Sequence, residues 1–200
     1  MTSRRHYQRP LGERRYRKLF FIAAEGINSE PGYFNLLNFG SVIVQVKCLK
    51  GNSKNSPKQV LARLAEHIES QGIADSDQAW VVVDRDSWKH QELIEIHAWS
   101  QQKQNYGFAL SNPLFEYWLL LHFEDGAGVT TKSECLRRLR KYLPSYNKKI
   151  DPSKFSLTQV KAAVARAKKK DQPPCRDWPR DVGSTVYRLV DDILSALSDV

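Results

Sequence analysis

The sequence predicts an α/β protein in which a mostly parallel four-stranded sheet is flanked by helices. Short apolar segments alternate along the chain with segments whose apolar residues repeat at helical spacing. The apolar segments are continuous, which is typical of strands that are buried on both faces of a parallel sheet. We therefore expect right-handed crossovers and a ligand site at the carboxyl ends of the strands.

Four apolar segments are predicted as strands, namely residues 18–24, 41–47, 79–83 and 106–110. Pro31 suits the first position of a short helix after the first strand, and Gly40 ends that helix. Ser56 and Pro57 open a longer helix that stops at Gly72. The order of these elements gives the alternation of strand and helix that a parallel sheet requires.

The remaining helices are also predicted from helical spacing. After the third strand, one side of a helix carries Leu93, Ile94, Ala98 and Trp99. Residues 114–123 are apolar nearly all round, so this helix should be buried, with Ser111 and Asn112 as its caps. Three further helices are predicted at about 131–143, 156–170 and 184–198. We expect a basic arm at 1–17 and one domain at 18–200, with an α/β core at 18–125 and a helical, basic C-terminal extension at 126–200.

The composition excludes several classes of protein. Of the 200 residues 41% are hydrophobic, which is sufficient for one ordinary globular core. Cys48, Cys135 and Cys175 lack CxxC spacing, so neither a disulfide framework nor a thiolate zinc site is indicated, and a reducing cytoplasm is expected. The charged N-terminus is not followed by an apolar segment long enough for a signal peptide or a membrane span, so no membrane association is expected.

The net charge of +9 is divided unevenly along the chain. Residues 1–18 carry seven basic residues against one acid, and residues 132–180 carry fifteen against four, whereas residues 19–131 carry eight against thirteen. Basic segments attract phosphate backbones, but an acidic centre repels them unless divalent cations occupy it. This pattern indicates a metal-dependent enzyme that acts on nucleic acid, although solvated surface charge would give the same composition.

Four carboxylates follow the first and third predicted strands: Glu25, Glu30, Asp84 and Asp86. The carboxyl ends of parallel strands meet at one edge of a sheet, so residues about sixty positions apart can share one crevice. Carboxylate oxygens are the ligands that Mg²⁺ and Mn²⁺ prefer. Each signal taken singly has another interpretation, because Asp84 and Asp86 could form a turn or cap, and Glu30 could cap the helix at Pro31.

Three residues near these carboxylates have two interpretations each. Glu116 lies in an otherwise apolar helix, where it is either a further ligand or an acid stabilised by the helix N-terminus and the turn at 111–112. Arg85 could clamp a phosphate, but a structural pairing is favoured. His122 is interpreted as a core histidine rather than a general base.

Eleven basic residues are predicted to contact a nucleic-acid backbone: Lys47, Lys50, Lys54 and Lys89 near the acids, and Arg137, Arg138, Arg140, Lys141, Lys168, Lys169 and Lys170 on the C-terminal helices. Tyr142, Tyr146 and Trp178 are expected to stack on unpaired bases. These features favour RNA, such as a tRNA, without excluding DNA.

Four blocks of the sequence, at 20–34, 81–88, 111–123 and 183–190, resemble the RloB-like family. They include Glu25-Gly-Ile-Asn-Ser-Glu30 and Asp84-Arg-Asp86. The resemblance implies a Toprim-like fold in which Glu25, Asp84 and Asp86 bind magnesium, and a related nuclease pattern adds Glu30. It also implies association with prokaryotic restriction and anti-phage loci, sometimes beside an ATPase. Since the sequence has no Walker motif, a separate partner would supply any ATPase.

The sequence and the resemblance together predict a Mg²⁺- or Mn²⁺-dependent endonuclease that cleaves RNA or DNA in anti-phage defence. Its catalytic residues would be Glu25, Glu30, Asp84, Asp86 and Glu116. The alternative is a non-catalytic adaptor that binds nucleic acid or an ATPase through its basic surface. A strand-passage or primase role is a weaker hypothesis, and the sequence leaves open whether the chain forms a homo-oligomer.

Overall fold

The computed structural model describes residues 18–198, apart from 42–43, 50, 52–55 and 86–87. Its strands are β1 (Lys18–Ala24), β2 (Val44–Cys48), β3 (Gln78–Asp84), β4 (Tyr106–Asn112) and β5 (Gly183–Ser184). Its α-helices are α1 (Ser29–Leu36), α2 (Pro57–Gln71), α3 (His90–Ser100), α4 (Phe115–Leu120), α5 (Lys132–Tyr142), α6 (Leu157–Lys170) and α7 (Val186–Ser198). A single 3₁₀ turn, Pro152–Lys154, precedes α6.

The strands form a mostly parallel sheet in the order β2-β1-β3-β4-β5. The four predicted strands are present and pair in parallel, whereas β5 pairs antiparallel with β4. The sheet therefore has five strands, and the predicted number of four was wrong. The additional strand has only two residues, Gly183 and Ser184, which is too short to produce a hydrophobic pattern.

Helices cover both faces of the sheet. One face of β1 and β3 packs with α2 and α3, through residues such as Val60, Leu64 and Ile96. The other face packs with α1, α4, α5, α6 and α7, through residues such as Tyr33 and Trp118. Alternate residues of β1 enter the two cores, which explains its continuous apolar sequence. Helices α5 to α7 share the core of the second face with the strands.

Capping residues fix where several helices begin. The Ser56 side chain accepts from the backbone N–H of Gln59, and the Gln59 side chain accepts from that of Ser56, so α2 starts with a capping box. The Thr131 side chain caps α5 by accepting from the backbone N–H of Glu134. These boundaries agree with the predicted ones within a few residues.

Three local predictions are wrong. Helix α1 starts at Ser29 rather than Pro31, with Asn28 at its N-cap position. Ser111 and Asn112 do not cap α4, since Leu114 occupies that position; they belong to β4 and bond to the chain around β5. In α3, moreover, the buried residues are Leu93, Ile96 and Ser100, and Ile94, which was grouped with Leu93, is exposed.

His122 is confirmed as a core residue. Its Nδ1 lies 3.1 Å from the carbonyl oxygen of Trp118, so this nitrogen carries the proton, and its Nε2 accepts from the Tyr33 hydroxyl at 3.0 Å. Burial lowers the pKa of His122 to about 3. The ring is therefore neutral and fully bonded at physiological pH. Among the described helices, none is long and apolar enough to cross a bilayer.

Candidate active site

The two central strands deliver carboxylates to the same edge of the sheet. Strands β1 and β3 pair in parallel, with Ala24 opposite Val82, so Glu25 follows one strand end beside Asp84 at the other. The Glu25 N–H donates to the Val82 carbonyl at 3.1 Å, which extends the pairing to Glu25 itself. Strand β1 leads to β2 on one side of it, and β3 leads to β4 on the other side. The connections that follow the adjacent strands β1 and β3 therefore run in opposite directions along the sheet. Ligands bind at such switch points in open α/β sheets.

The Glu25 carboxylate is held in place by two donors. Its Oε2 accepts from the backbone N–H of Asp84 at 3.2 Å and from the indole N–H of Trp88 at 2.9 Å. Burial raises the pKa of Glu25, although these two hydrogen bonds and the charges of Lys132 and Lys148 oppose the rise. Glu25 is thus oriented toward the end of β3.

Glu30 lies in the first turn of α1 and is buried, with 7% of its surface exposed. Its Oε1 accepts from the backbone N–H of Gly26 at 3.2 Å, which closes the turn after β1. A Cβ at position 26 would lie 2.0 Å from Glu30 Oε2, so glycine is required for this close approach. Burial, together with the charges of Glu116 and Glu25, raises the pKa of Glu30 to about 7.

Asp84 is electrostatically coupled to the three other acids. Burial raises its pKa well above the usual value, and the charges of Glu30, Glu25 and Glu116 raise it further. These four residues form the acidic cluster. Asp86, the fifth predicted carboxylate, lies outside the described residues. Within the described part of the chain, no three acidic, histidine or cysteine side chains are close enough to hold one ion.

Glu116 is almost completely buried, with 1% of its surface exposed, and its partners differ from those expected. Its Oε1 accepts from the Tyr146 hydroxyl at 2.8 Å and forms an ion pair with Lys148. The Tyr146 hydroxyl also lies 2.8 Å from Ser29 Oγ. This network joins α4, the start of α1 and the loop before α6. The predicted hydrogen bond from Glu116 to the turn at 111–112 was wrong, because Tyr146 and Lys148 are its partners instead.

Two lysines that sequence reasoning missed act on the acidic cluster. Lys148 pairs with Glu116, and its charge also favours the ionised forms of Glu25, Glu30 and Asp84. Lys132, at the start of α5, favours ionisation of Glu25. The backbone of Lys148 has a φ of 72°, which is unusual for a residue with a side chain. In the sequence, Asn147-Lys148-Lys149 resembles an ordinary solvated turn.

The predicted basic contacts near the acids are partly described. Lys47 is exposed on β2 with its ammonium 5.7 Å from the centre of the Phe21 ring, and Lys89 is exposed before α3. Lys50 and Lys54 lie outside the described residues. Arg85 donates to the Trp88 carbonyl at 3.1 Å, which is a structural contact.

The C-terminal basic residues divide into paired and exposed groups. Arg137 pairs with Glu134, Arg138 with Glu124, and Lys168 with Asp191. The exposed group consists of Arg140, Lys141, Lys169 and Lys170. The basic surface therefore exists, but internal ion pairs use part of its charge.

The predicted stacking role is wrong for two of the three aromatic residues. Trp178 has 2% of its surface exposed and Tyr146 has 9%, so neither offers a ring face to a base. Tyr142 is 38% exposed, and one face of its ring stacks on Phe123 at a centroid distance of 5.0 Å.

Comparison with known proteins identifies a family. The family model described as RloB-like protein matches residues 20–193, which is most of the chain. No curated protein and no solved structure gives a significant match. The matched region includes both strand ends that carry the acidic cluster and all seven α-helices except the last turns of α7. The chain is therefore a member of the RloB-like protein family.

Proposed function

We propose that this protein is a Toprim-like endonuclease that uses Mg²⁺ or Mn²⁺ to cleave phosphodiester bonds of RNA or DNA. The observation that carries the proposal is the acidic cluster at the adjoining ends of β1 and β3. Four parallel strands in the order β2-β1-β3-β4, with acids after β1 and β3, support the Toprim-like interpretation. A role in prokaryotic anti-phage defence, together with a separately encoded ATPase, is part of the same proposal.

The electrostatics of the cluster favour a bound cation. Burial and mutual repulsion raise the pKa values of Glu25, Glu30 and Asp84, so their ionised forms are unfavourable without a positive partner. A divalent cation would remove this repulsion. Three such acids in one place do not stabilise the fold by themselves, so a purely structural role does not explain the cluster.

The donor set also fits Mg²⁺ or Mn²⁺. Hard carboxylate oxygens and water are their preferred ligands, and a few carboxylates suffice when substrate phosphate completes the shell. Glu25, Glu30, Asp84 and Asp86 would hold the metal, which supplies Lewis acidity and an activated water when bound. Since no three of the described acidic, histidine or cysteine side chains are close enough to hold one ion, Asp86, water and substrate must complete the coordination.

The other residues of the site orient these ligands and bind the substrate. Trp88 and the backbone N–H of Asp84 fix Glu25, and Gly26 fixes Glu30. The Lys148 side chain is 60% exposed although its ammonium pairs with buried Glu116, so it can also contact a phosphate that approaches from solvent. We assign Glu116 the role of positioning Lys148 rather than that of a metal ligand.

A cleavage assay tests the proposal. The full chain, alone and with a neighbouring ATPase, is incubated with tRNA, single-stranded RNA and both forms of DNA, in Mg²⁺, Mn²⁺ or EDTA. We expect metal-dependent cleavage that Asp84→Asn lowers by at least about a hundredfold. Asp75→Asn, at an exposed acid in the turn before β3, is the matched control and should retain full activity.

Asp84→Asn, compared with charge reversal on the exposed basic surface, separates the nuclease from an adaptor. Exposed Arg140 and Lys141 support binding without chemistry as the competing function. If cleavage is absent in every condition, and a defence phenotype survives Asp84→Asn but not charge reversal at these two residues, the protein is an adaptor.

A further inference from the structure

A cavity lies at the same edge of the sheet as the acidic cluster, on the far side of β4 from β3. Its volume is about 560 Å³, within the range of small-molecule sites. Residues of α4, of the loop after α4 and of the segment before β5 form its walls, together with the end of α6. They include Asn112, Tyr117, Thr130, Lys170 and Arg180.

This cavity adjoins the acidic cluster. Asn112, in its wall, follows Ser111, which is the register partner of Asp84 across β3 and β4. On the other side, Thr130 precedes Lys132 by two residues, and the Lys132 charge acts on Glu25. The strand end and the loop thus link the wall of the cavity to residues that pair with Asp84 or act on Glu25.

A buried polar group without a partner lines the cavity. Tyr117 is fully buried, and its hydroxyl has no hydrogen-bond partner among the residues that the structure describes. Gly126, also in the wall, backs this hydroxyl: a Cβ there would lie 2.9 Å from the oxygen, and its φ is +67°. Burial raises the pKa of Tyr117, so the hydroxyl keeps its proton. Because buried polar groups are almost always bonded, an acceptor from outside the chain is expected.

Two cations stand at the rim of the cavity. Lys170 ends α6 and is exposed. Arg180 lies 4.4 Å from the centre of the Trp178 ring and pairs with Asp177 at 2.6 Å, so its guanidinium is held in position. Both cations also line an adjoining cavity of about 250 Å³. Asp181 is the acid in the wall of the larger cavity, whereas Asp171 and Asp181 both line the smaller one. Because Asp177 offsets the charge of Arg180, Lys170 is the cation of the larger wall that has no ion pair among the described residues.

We propose that this cavity binds one nucleotide of the substrate strand next to the bond that lies at the acidic cluster. Lys170 and Arg180 contact the phosphate of this nucleotide, and the Tyr117 hydroxyl donates to an oxygen of the same unit. A strand laid along this edge would pass from the acidic cluster, which requires a metal, to a cavity that offers Lys170, Arg180 and the Tyr117 hydroxyl. The identity of the ligand rests on the proposed nuclease function, whereas the anion site rests on the cavity itself.

The test measures binding without metal and without cleavage. The full chain in EDTA is titrated with a 5′-phosphorylated dinucleotide, with the same dinucleoside lacking the 5′-phosphate, and with inorganic phosphate, by calorimetry. The variants are Lys170→Ser and Tyr117→Phe, which keeps the ring packed against Gly126. The matched controls are Lys103→Ser and Tyr106→Phe at the opposite edge of the sheet, and melting temperatures verify the fold of each variant.

We expect the phosphorylated dinucleotide to bind most tightly, and each cavity variant to weaken it roughly fivefold or more, with the controls within about twofold. The proposal is overturned if the wild type does not bind this ligand at millimolar concentration, or if cavity and control variants behave alike. Equal affinity for inorganic phosphate would overturn the assignment to a nucleotide. Failure of metal-dependent cleavage, by contrast, would overturn the proposed function and leave this binding result standing.

Discussion

Substitution of Glu30 by glutamine should stabilise the protein at alkaline pH in the absence of metal. Glutamine keeps the shape of the side chain, and its Oε1 can still accept from the Gly26 N–H. Only the charge is removed. The buried carboxyl, whose pKa is about 7 against 4.5 for the free side chain, gives up its proton in the folded state at a cost in free energy.

The sign and size of this effect follow from linkage. Below pH 4.5 Glu30 is protonated in both states and costs nothing. Between pH 4.5 and 7 the unfolded chain loses the proton first, so the free energy of unfolding falls as pH rises. The full shift corresponds to about 3 kcal/mol above pH 7, and to less than about 1 kcal/mol at pH 5. For a chain of this size, 3 kcal/mol is a rise of about 6–12 °C in the melting temperature.

Thermal and chemical unfolding of wild type and Glu30→Gln, in EDTA at pH 5 and pH 8, measures this difference. Glu69→Gln, at an exposed acid of α2, is the control and should change little at either pH. With Mg²⁺ at pH 8, the wild type should gain stability and Glu30→Gln should gain less. The reasoning is refuted if Glu30→Gln destabilises the protein at pH 8, or stabilises it equally at both values of pH.

Three further predictions concern other residues. Gly26→Ala places a methyl group 2.0 Å from Glu30 Oε2, so it should displace this carboxylate and lower metal-dependent cleavage at least about tenfold. Normal cleavage by this variant would contradict the requirement for glycine at position 26. Lys148→Met should lower the free energy of unfolding by about 1 kcal/mol and reduce cleavage. Lys149→Met, at the next exposed residue, should do neither. Equal effects of the two variants would show that Lys148 has no role in the site. The pKa of His122 is about 3 in the folded state, so the free energy of unfolding should fall as pH falls below 6.5, by about 2 kcal/mol at pH 5. His122→Asn should flatten this part of the plot of unfolding free energy against pH, and an unchanged plot would contradict the assigned bonding.

The sequence predicts the elements that have strong periodicity and clear caps. Helix α2 has both, with Ser56 at its start and Gly72 after its end, and its boundaries agree with the structure. Continuous apolar strands placed Glu25 and Asp84 at strand ends, and parallel pairing then required them to be neighbours. This part of the acidic cluster follows from topology, which is why it could be predicted.

The rest of the site depends on contacts between distant segments, which local patterns do not encode. Glu116 contacts Tyr146 and Lys148 across about thirty residues, and Lys148 has a left-handed backbone conformation that its sequence does not suggest. Trp178 was expected to stack on unpaired bases beside the basic C-terminal helices, yet its ring is buried among residues of α3 and β4. Local composition is a poor guide to burial in such irregular segments.

A crystal structure of the full chain soaked in Mn²⁺, with anomalous scattering to locate the metal, tests the central claim most directly. We expect at least one Mn²⁺ ion within about 2.2 Å of carboxylate oxygens of Glu25 and Asp84, with Asp86 in the same coordination shell. Crystals that show no ion at the ends of β1 and β3 at millimolar Mn²⁺, or that show ions only elsewhere, would contradict it.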